Sequence, residues 1–101
     1  MTKGALGQLT KSTAAAYGPL GIRVNCVCPG TIETPLMHGA VQKMVAEKGA
    51  VAAEIYDALN TAQPVPRVGA PAEVANAVLS VCTNGFMCGA LIAVDGGYTC
   101  V

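Results

Sequence analysis

The expected fold turns on residues 18–30, Gly18-Pro19-Leu20-Gly21-Ile22-Arg23-Val24-Asn25-Cys26-Val27-Cys28-Pro29-Gly30. Gly18-Pro19-Leu20-Gly21 stops a helix, since glycine takes the left-handed terminal conformation and proline cannot continue the turn. Ile22, Val24, Cys26 and Cys28 then alternate with Arg23, Asn25 and Val27, which predicts a strand over residues 22–28 with two distinct faces. Pro29-Gly30 breaks it. A strand that follows a helix through a short turn is the α-to-β step of an α/β unit.

Working backward, residues 3–17 favour a helix. Ala5, Leu6, Leu9, Thr13 and Ala16 recur at helical spacing, and Ala14, Ala15 and Ala16 add propensity and permit close packing. Working forward, Thr34-Pro35 is a helix start, followed by two helical stretches around Gly49 that reach roughly Asn60. Residues 63–71 contain three prolines and a glycine and form a loop. Pro71 suits the first turn of the next helix, with Glu73 placed to meet its dipole. Val74, Ala77, Val78, Val81 and Cys82 make its apolar stripe. Residues 91–94 are a short buried strand, closed by Asp95-Gly96-Gly97. This order is the closing section of a doubly wound α/β sheet. Two strands alone do not make a stable open sheet.

Composition points the same way. The 101 residues allow one small domain, with 52% hydrophobic but only 12% charged residues, against about 25% charged in an average soluble domain. The apolar runs near residues 74–82 and 86–94 are about half the ~18 residues that a membrane span needs, so no membrane partner is expected. Much of this surface is therefore expected to be covered by further chain or another subunit. Zero net charge gives no electrostatic reason to expect nucleic acid. The start Met1-Thr2-Lys3-Gly4 lacks a hydrophobic signal region, so a cytoplasmic location is expected. Cys26, Cys28, Cys82, Cys88 and Cys100 do not follow zinc or Cys-x-x-Cys spacing and read as small buried hydrophobes in a reducing compartment; no metal is expected.

Thr2-Lys3-Gly4-Ala5-Leu6, Leu9-Thr10-Lys11-Ser12, Tyr17-Gly18, Gly21-Ile22-Arg23-Val24-Asn25 and the run from Cys28 through Pro29-Gly30-Thr31-Ile32-Glu33-Thr34 to Pro35 carry a wider resemblance. So do Arg67-Val68-Gly69, Pro71, Glu73, Val74, Gly89 and Val94-Asp95-Gly96-Gly97-Tyr98. Together, in this order, they are similar to the short-chain dehydrogenase/reductases. The resemblance implies the C-terminal portion of a Rossmann-like, doubly wound parallel sheet, with residues 1–101 as one partial domain. It also implies hydride transfer between NAD or NADP and an alcohol or carbonyl.

The family's catalytic core is a tyrosine, three residues, then a lysine. Lys3 matches the lysine, and the tyrosine would fall upstream of Met1. Four-residue spacing stacks the two on one helix face, where the ammonium lowers the phenol's pKa toward neutrality. In the family the same lysine holds the nicotinamide ribose. Tyr17 lies more than three turns beyond Lys3 and is no substitute. The segment Pro29-Gly30-Thr31-Ile32-Glu33-Thr34 resembles the loop that contacts the cofactor's nicotinamide end. There Gly30 permits close backbone approach, the Ile32 backbone pairs with the carboxamide, and the Thr34 hydroxyl reaches the amide or pyrophosphate.

The glycine-rich pyrophosphate turn, the residue choosing NAD or NADP, and the catalytic serine and asparagine belong upstream of this sequence in the family. The loop near Asn84-Gly85-Phe86 is about two residues shorter than the family's, and Cys88 replaces its threonine. His38 is read as a surface or packing residue without a partner. Met37 and Met44 fall in a stretch that resembles the family's substrate-covering segment and suit either an apolar substrate or the core. Arg67 and Asp95 are read as ties between loops. The chain alone is expected to be inactive. The competing expectation is a non-catalytic interaction module that forms a homo-oligomer through its last helix and strand.

Overall fold

The structure, a computed structural model, describes residues 2–100, with side chains from residue 4 onward. Helix α1 (Thr2–Tyr17) runs into a 3-10 turn (Gly18–Leu20), and strand β1 (Cys26–Pro29) follows. Helices α2 (Pro35–Lys48), α3 (Ala52–Thr61) and α4 (Pro71–Thr83) lead to strand β2 (Leu91–Val94) and a last 3-10 turn (Tyr98–Cys100). The strands pair in parallel, with Cys26, Val27, Cys28 and Pro29 opposite Leu91, Ile92, Ala93 and Val94. This is the α/β order that the sequence predicts.

The two faces of the pair carry different helices. Leu91 shares the Cys26 face and packs on α1, where a β-carbon built at Gly7 would lie 3.1 Å from Leu91 Cδ1. On the other face, Val27 shares a cleft with Val78, Val81 and Cys82 of α4. Helices on both faces of a parallel ladder are the hallmark of doubly wound sheets.

Two expectations shift. Strand β1 begins at Cys26 rather than Ile22 and includes Pro29. The partner strand starts only at Leu91. Before it, residues 84–90 approach as a turn that Arg23 and Asn25 hold. Arg23 donates to the carbonyls of Val81, Cys82, Asn84 and Met87. Asn25 donates to Met87 O and accepts from Ala90 N. Side chains expected on a strand face thus secure the C-terminal end of α4 and its connection.

The packed face of α1 also differs from the apolar stripe. Gly7, Thr10 and Ala14 are buried, whereas Leu6 and Leu9 are exposed. Close approach of helix to strand selects small residues. Thr10 satisfies its hydroxyl on Leu6 O at 2.8 Å. Among the described residues the buried hydrophobic ones are Ala14, Cys26 and Val41, while Phe86 is 100% exposed. The accessible surface is 6734 Å², against about 5,300 Å² for a compact monomer of this mass. The radius of gyration, 16.7 Å, likewise exceeds the ~13 Å of a compact 100-residue domain.

Candidate functional site

The candidate loop leaves the carboxyl end of β1, the end of a parallel sheet where ligands bind in such folds. Gly30 extends the ladder by donating to Val94 O at 3.0 Å. A β-carbon at Gly30 would lie 2.7 Å from Asp95 Cβ and 2.9 Å from Asp95 Cα. The close approach that this glycine permits is therefore, within the chain, to the turn that ends β2. Asp95 in turn accepts from Gly97 N and Thr99 N, which rounds that turn.

Thr31 and Glu33 hold the next part of the loop. Gly69 N donates to Thr31 O and Glu33 N donates to Gly69 O, forming a parallel bridge between Ile32 and Gly69. In a parallel bridge these bonds come from the neighbours of the bridged residue. The N–H and carbonyl of Ile32 are thus directed to the opposite edge. The Ile32 side chain covers Gly69, whose β-carbon would meet Ile32 Cδ1 at 2.7 Å. Thr34 caps α2 by accepting from Met37 N at 3.2 Å, and its backbone is extended (φ −139°, ψ 162°). The cap uses oxygen lone pairs and leaves the hydroxyl proton to donate elsewhere. Lys3 stands in the first turn of α1, and its side chain lies outside the described residues.

The loop over residues 62–70 closes the other side. Gln63, only 6% exposed, directs Nε2 at the carbonyls of Leu59, Asn60 and Arg67. Val65 N donates to Gly96 O. Arg67 and Glu73 form a two-pronged ion pair at 2.7 and 2.9 Å, and Glu73 also accepts from Ala70 N. The Arg67 guanidinium, then the Ala70 N–H, lowers the Glu73 carboxyl to about 2, and the same pair raises Arg67. Arg67 and Asp95 thus tie loops.

His38 departs from its expectation. Nδ1 lies 2.8 Å from the Tyr56 hydroxyl and Nε2 lies 3.4 Å from Glu33 Oε1. A carboxylate from the candidate loop, an imidazole from α2 and a phenol from α3 form one chain of polar contacts. Asn60 continues it structurally, donating to Tyr56 O and accepting from Val68 N. These residues and Met37 line an open cleft of about 460 Å³ beside the Ile32–Gly69 bridge. Sequence reasoning misses Tyr56, Asn60 and Gln63, whose partners are set by tertiary packing; only the polar types of Glu33 and His38, close to the loop, were a signal. Met44 is 41% exposed and does not line this cleft.

Residues 1–99 match the family described as Enoyl-(Acyl carrier protein) reductase. The chain is 38% identical over 101 residues to cis-4-hydroxycyclohexanecarboxylate dehydrogenase of Sinomonas cyclohexanicum, covering 98% of this chain and 36% of that protein. Among solved structures it is similar to a short chain dehydrogenase family protein from Francisella tularensis subsp. tularensis SCHU S4. The TM-score is 0.89 and the identity 39%, covering 98% of this chain and 42% of the other. L-sorbose reductase from Gluconobacter frateurii, solved with NADPH and L-sorbose, gives a TM-score of 0.84 at 29% identity, covering 96% and 38%. The chain thus spans roughly two-fifths or less of the length of these relatives.

Proposed function

Because this chain belongs to the short-chain dehydrogenase/reductase family, we propose that it forms the nicotinamide-side and substrate-side portion of an NAD(P)-dependent oxidoreductase interconverting an alcohol and a carbonyl. The observation that carries this reading is the loop over residues 29–34. It leaves the carboxyl end of β1, is braced by Asp95 and Gly69, and turns the Ile32 peptide groups outward. Outward N–H and carbonyl groups match a carboxamide, and the spare Thr34 proton matches an anionic or carbonyl acceptor. The loop residues therefore fit a nicotinamide cofactor, with Pro29 and Gly30 setting the loop's path, and the resemblance to the family assigns the ribose to Lys3. When bound, that cofactor supplies or accepts the hydride.

Lys3 takes the role of electrostatic helper to a tyrosine in a larger domain, the phenol carrying the proton. The 101 residues alone are inactive, since proton transfer and cofactor positioning each contribute large rate factors. The names of the relatives, a hydroxycyclohexanecarboxylate dehydrogenase and an L-sorbose reductase, support alcohol–carbonyl chemistry. Exposed large apolar side chains on both layers support burial against further structure.

Grafting residues 1–101 in place of the matching segment of the Gluconobacter frateurii reductase tests this reading. The chimera is expected to bind NADPH, measured by cofactor fluorescence, and Thr34→Val is expected to weaken that binding. A folded chimera without NADPH binding would overturn the assignment. NADH- or NADPH-dependent turnover by the isolated chain would overturn its inactivity.

A second reading is a non-catalytic module that pairs with a like copy. It is favoured by the exposure of Val78, Leu79 and Leu91 on α4 and β2. A concentration-independent monomer in light scattering would remove it.

A further inference from the structure

Cys26 and Cys28 are the cysteine pair that the sequence reading assigned to packing, and the structure places their Sγ atoms 3.7 Å apart. They project from the same face of β1, as residues two apart on a strand must. Cys26 is buried and Cys28 partly so. Nothing in the loop chemistry above uses either thiol.

We propose that Cys26 and Cys28 form a two-thiol chelating site for a trivalent arsenical. At this separation the two thiols are in contact, one S–H directed at the other sulfur, and a single soft acceptor can take the place of that contact by bonding both. Trivalent arsenic takes its sulfur ligands at adjacent positions of a pyramidal shell, so two sulfurs already in contact at 3.7 Å need only draw slightly closer to share it. A closed zinc site needs four such donors. Among the described residues no cluster of three or more His, Cys, Asp or Glu side chains is placed to hold a metal. An acceptor that needs only two thiolates is therefore the match, and soft thiolates select a soft acceptor.

The alternative of an internal disulfide fits less well. Residues two apart on an extended strand have Cα atoms about 6.6 Å apart, at the outer end of the range that a disulfide spans.

The reaction is balanced without an oxidant. A monosubstituted arsenic(III) oxide, R–As=O, loses its oxygen as water. Both S–H bonds break, two As–S bonds form, and the two protons leave with that oxygen. Sulfur and arsenic keep their oxidation states. Once one thiol has reacted, the second lies alongside it, so ring closure is an intramolecular step with a high effective concentration. The pair shares the β1 face that packs toward α1, and Cys28 precedes Gly30 by two residues, which ties occupation of the site to the strand that launches the candidate loop. The proposal is independent of the oxidoreductase reading.

The experiment uses the reduced full chain with phenylarsine oxide, followed by intact mass spectrometry and by competition with a monothiol. One arsenical per chain is expected, with loss of one water. Cys26→Ala and Cys28→Ala, each replacing the cysteine by a small apolar residue, are expected to release the reagent to monothiol on the order of 100-fold more readily. The triple variant Cys82→Ser/Cys88→Ser/Cys100→Ser is expected to retain it as wild type does. Backbone amide spectra identify which variants are folded, and either folded single variant decides the question. Wild-type retention in a folded single variant, or loss of retention in the folded triple variant, would overturn the site.

Discussion

The strand pair and the helical excursion over residues 35–61 are held by different kinds of contact. Between β1 and β2 the contacts are backbone to backbone, with the Arg23 and Asn25 side chains securing the approach to the ladder. The parallel ladder continues into the Gly30–Val94 bond, and Gly30 fits against Asp95 with no room for a side chain. Around α2 and α3 they are side-chain contacts. Val41, 3% exposed, is the buried apolar anchor of the excursion, and the polar chain Glu33–His38–Tyr56 spans loop and helices. Backbone contacts at close range tolerate little change, whereas exposed polar contacts are individually weak. A close-packed platform under a cover of weaker contacts places the more readily changed residues around the open cleft.

Gly30→Val is expected to break the platform with the largest effect, about 3 kcal/mol or more, because the added carbon meets backbone atoms that cannot rotate away. Urea unfolding followed by circular dichroism measures it. A loss below 1 kcal/mol would show that the Asp95 turn yields. Gln63→Ala, at the seam between platform and cover, is expected to cost about 2 kcal/mol by leaving carbonyls without their buried donor. The same titration checks this.

Within the cover, Tyr56→Phe is expected to cost only about 0.5 kcal/mol. Amide exchange is expected to quicken over residues 35–61 while the ladder amides stay unchanged. Equal quickening in both regions would erase the contrast between them.

The smallest effect is the acid response of the exposed Arg67–Glu73 pair. The folded carboxyl titrates at about 2 against an ordinary 4.5. Its contribution is therefore complete above pH 4.5 and is lost as pH falls toward 2. The wild-type and Glu73→Gln unfolding midpoints are expected to converge over that interval, and added salt is expected to narrow their difference at neutral pH. A gap that stays constant from pH 6 to pH 2 would contradict the sign.

Much of the fold was legible locally. Gly49 ends α2 in the left-handed region at φ 64°, Thr34 and Pro71 begin helices, and β2 spans residues 91–94. Glycine, proline and capping side chains act on their own neighbours, so their meaning survives without the fold. The start of β1 was misplaced because a strand ends where its partner does, and β2 lies over 60 residues away. The site was half legible. Loop residues 29–34 were singled out from the resemblance, and the structure places them at the carboxyl end of β1. The Tyr56 partner of His38 was invisible, because it comes from the next helix, 18 residues along.

The sequence by itself determined the order of elements, their breaks, the family, and the shortage of charge that leaves so much apolar surface uncovered. Periodicity, turn chemistry and composition carry these properties within a few residues. Only the tertiary structure decided which face of α1 packs, what Gly30 approaches, and how Glu33, His38 and Tyr56 meet. It also brought the Cys26 and Cys28 sulfurs to 3.7 Å from each other. Such contacts depend on distances of a few tenths of an ångström between elements, which no local pattern encodes.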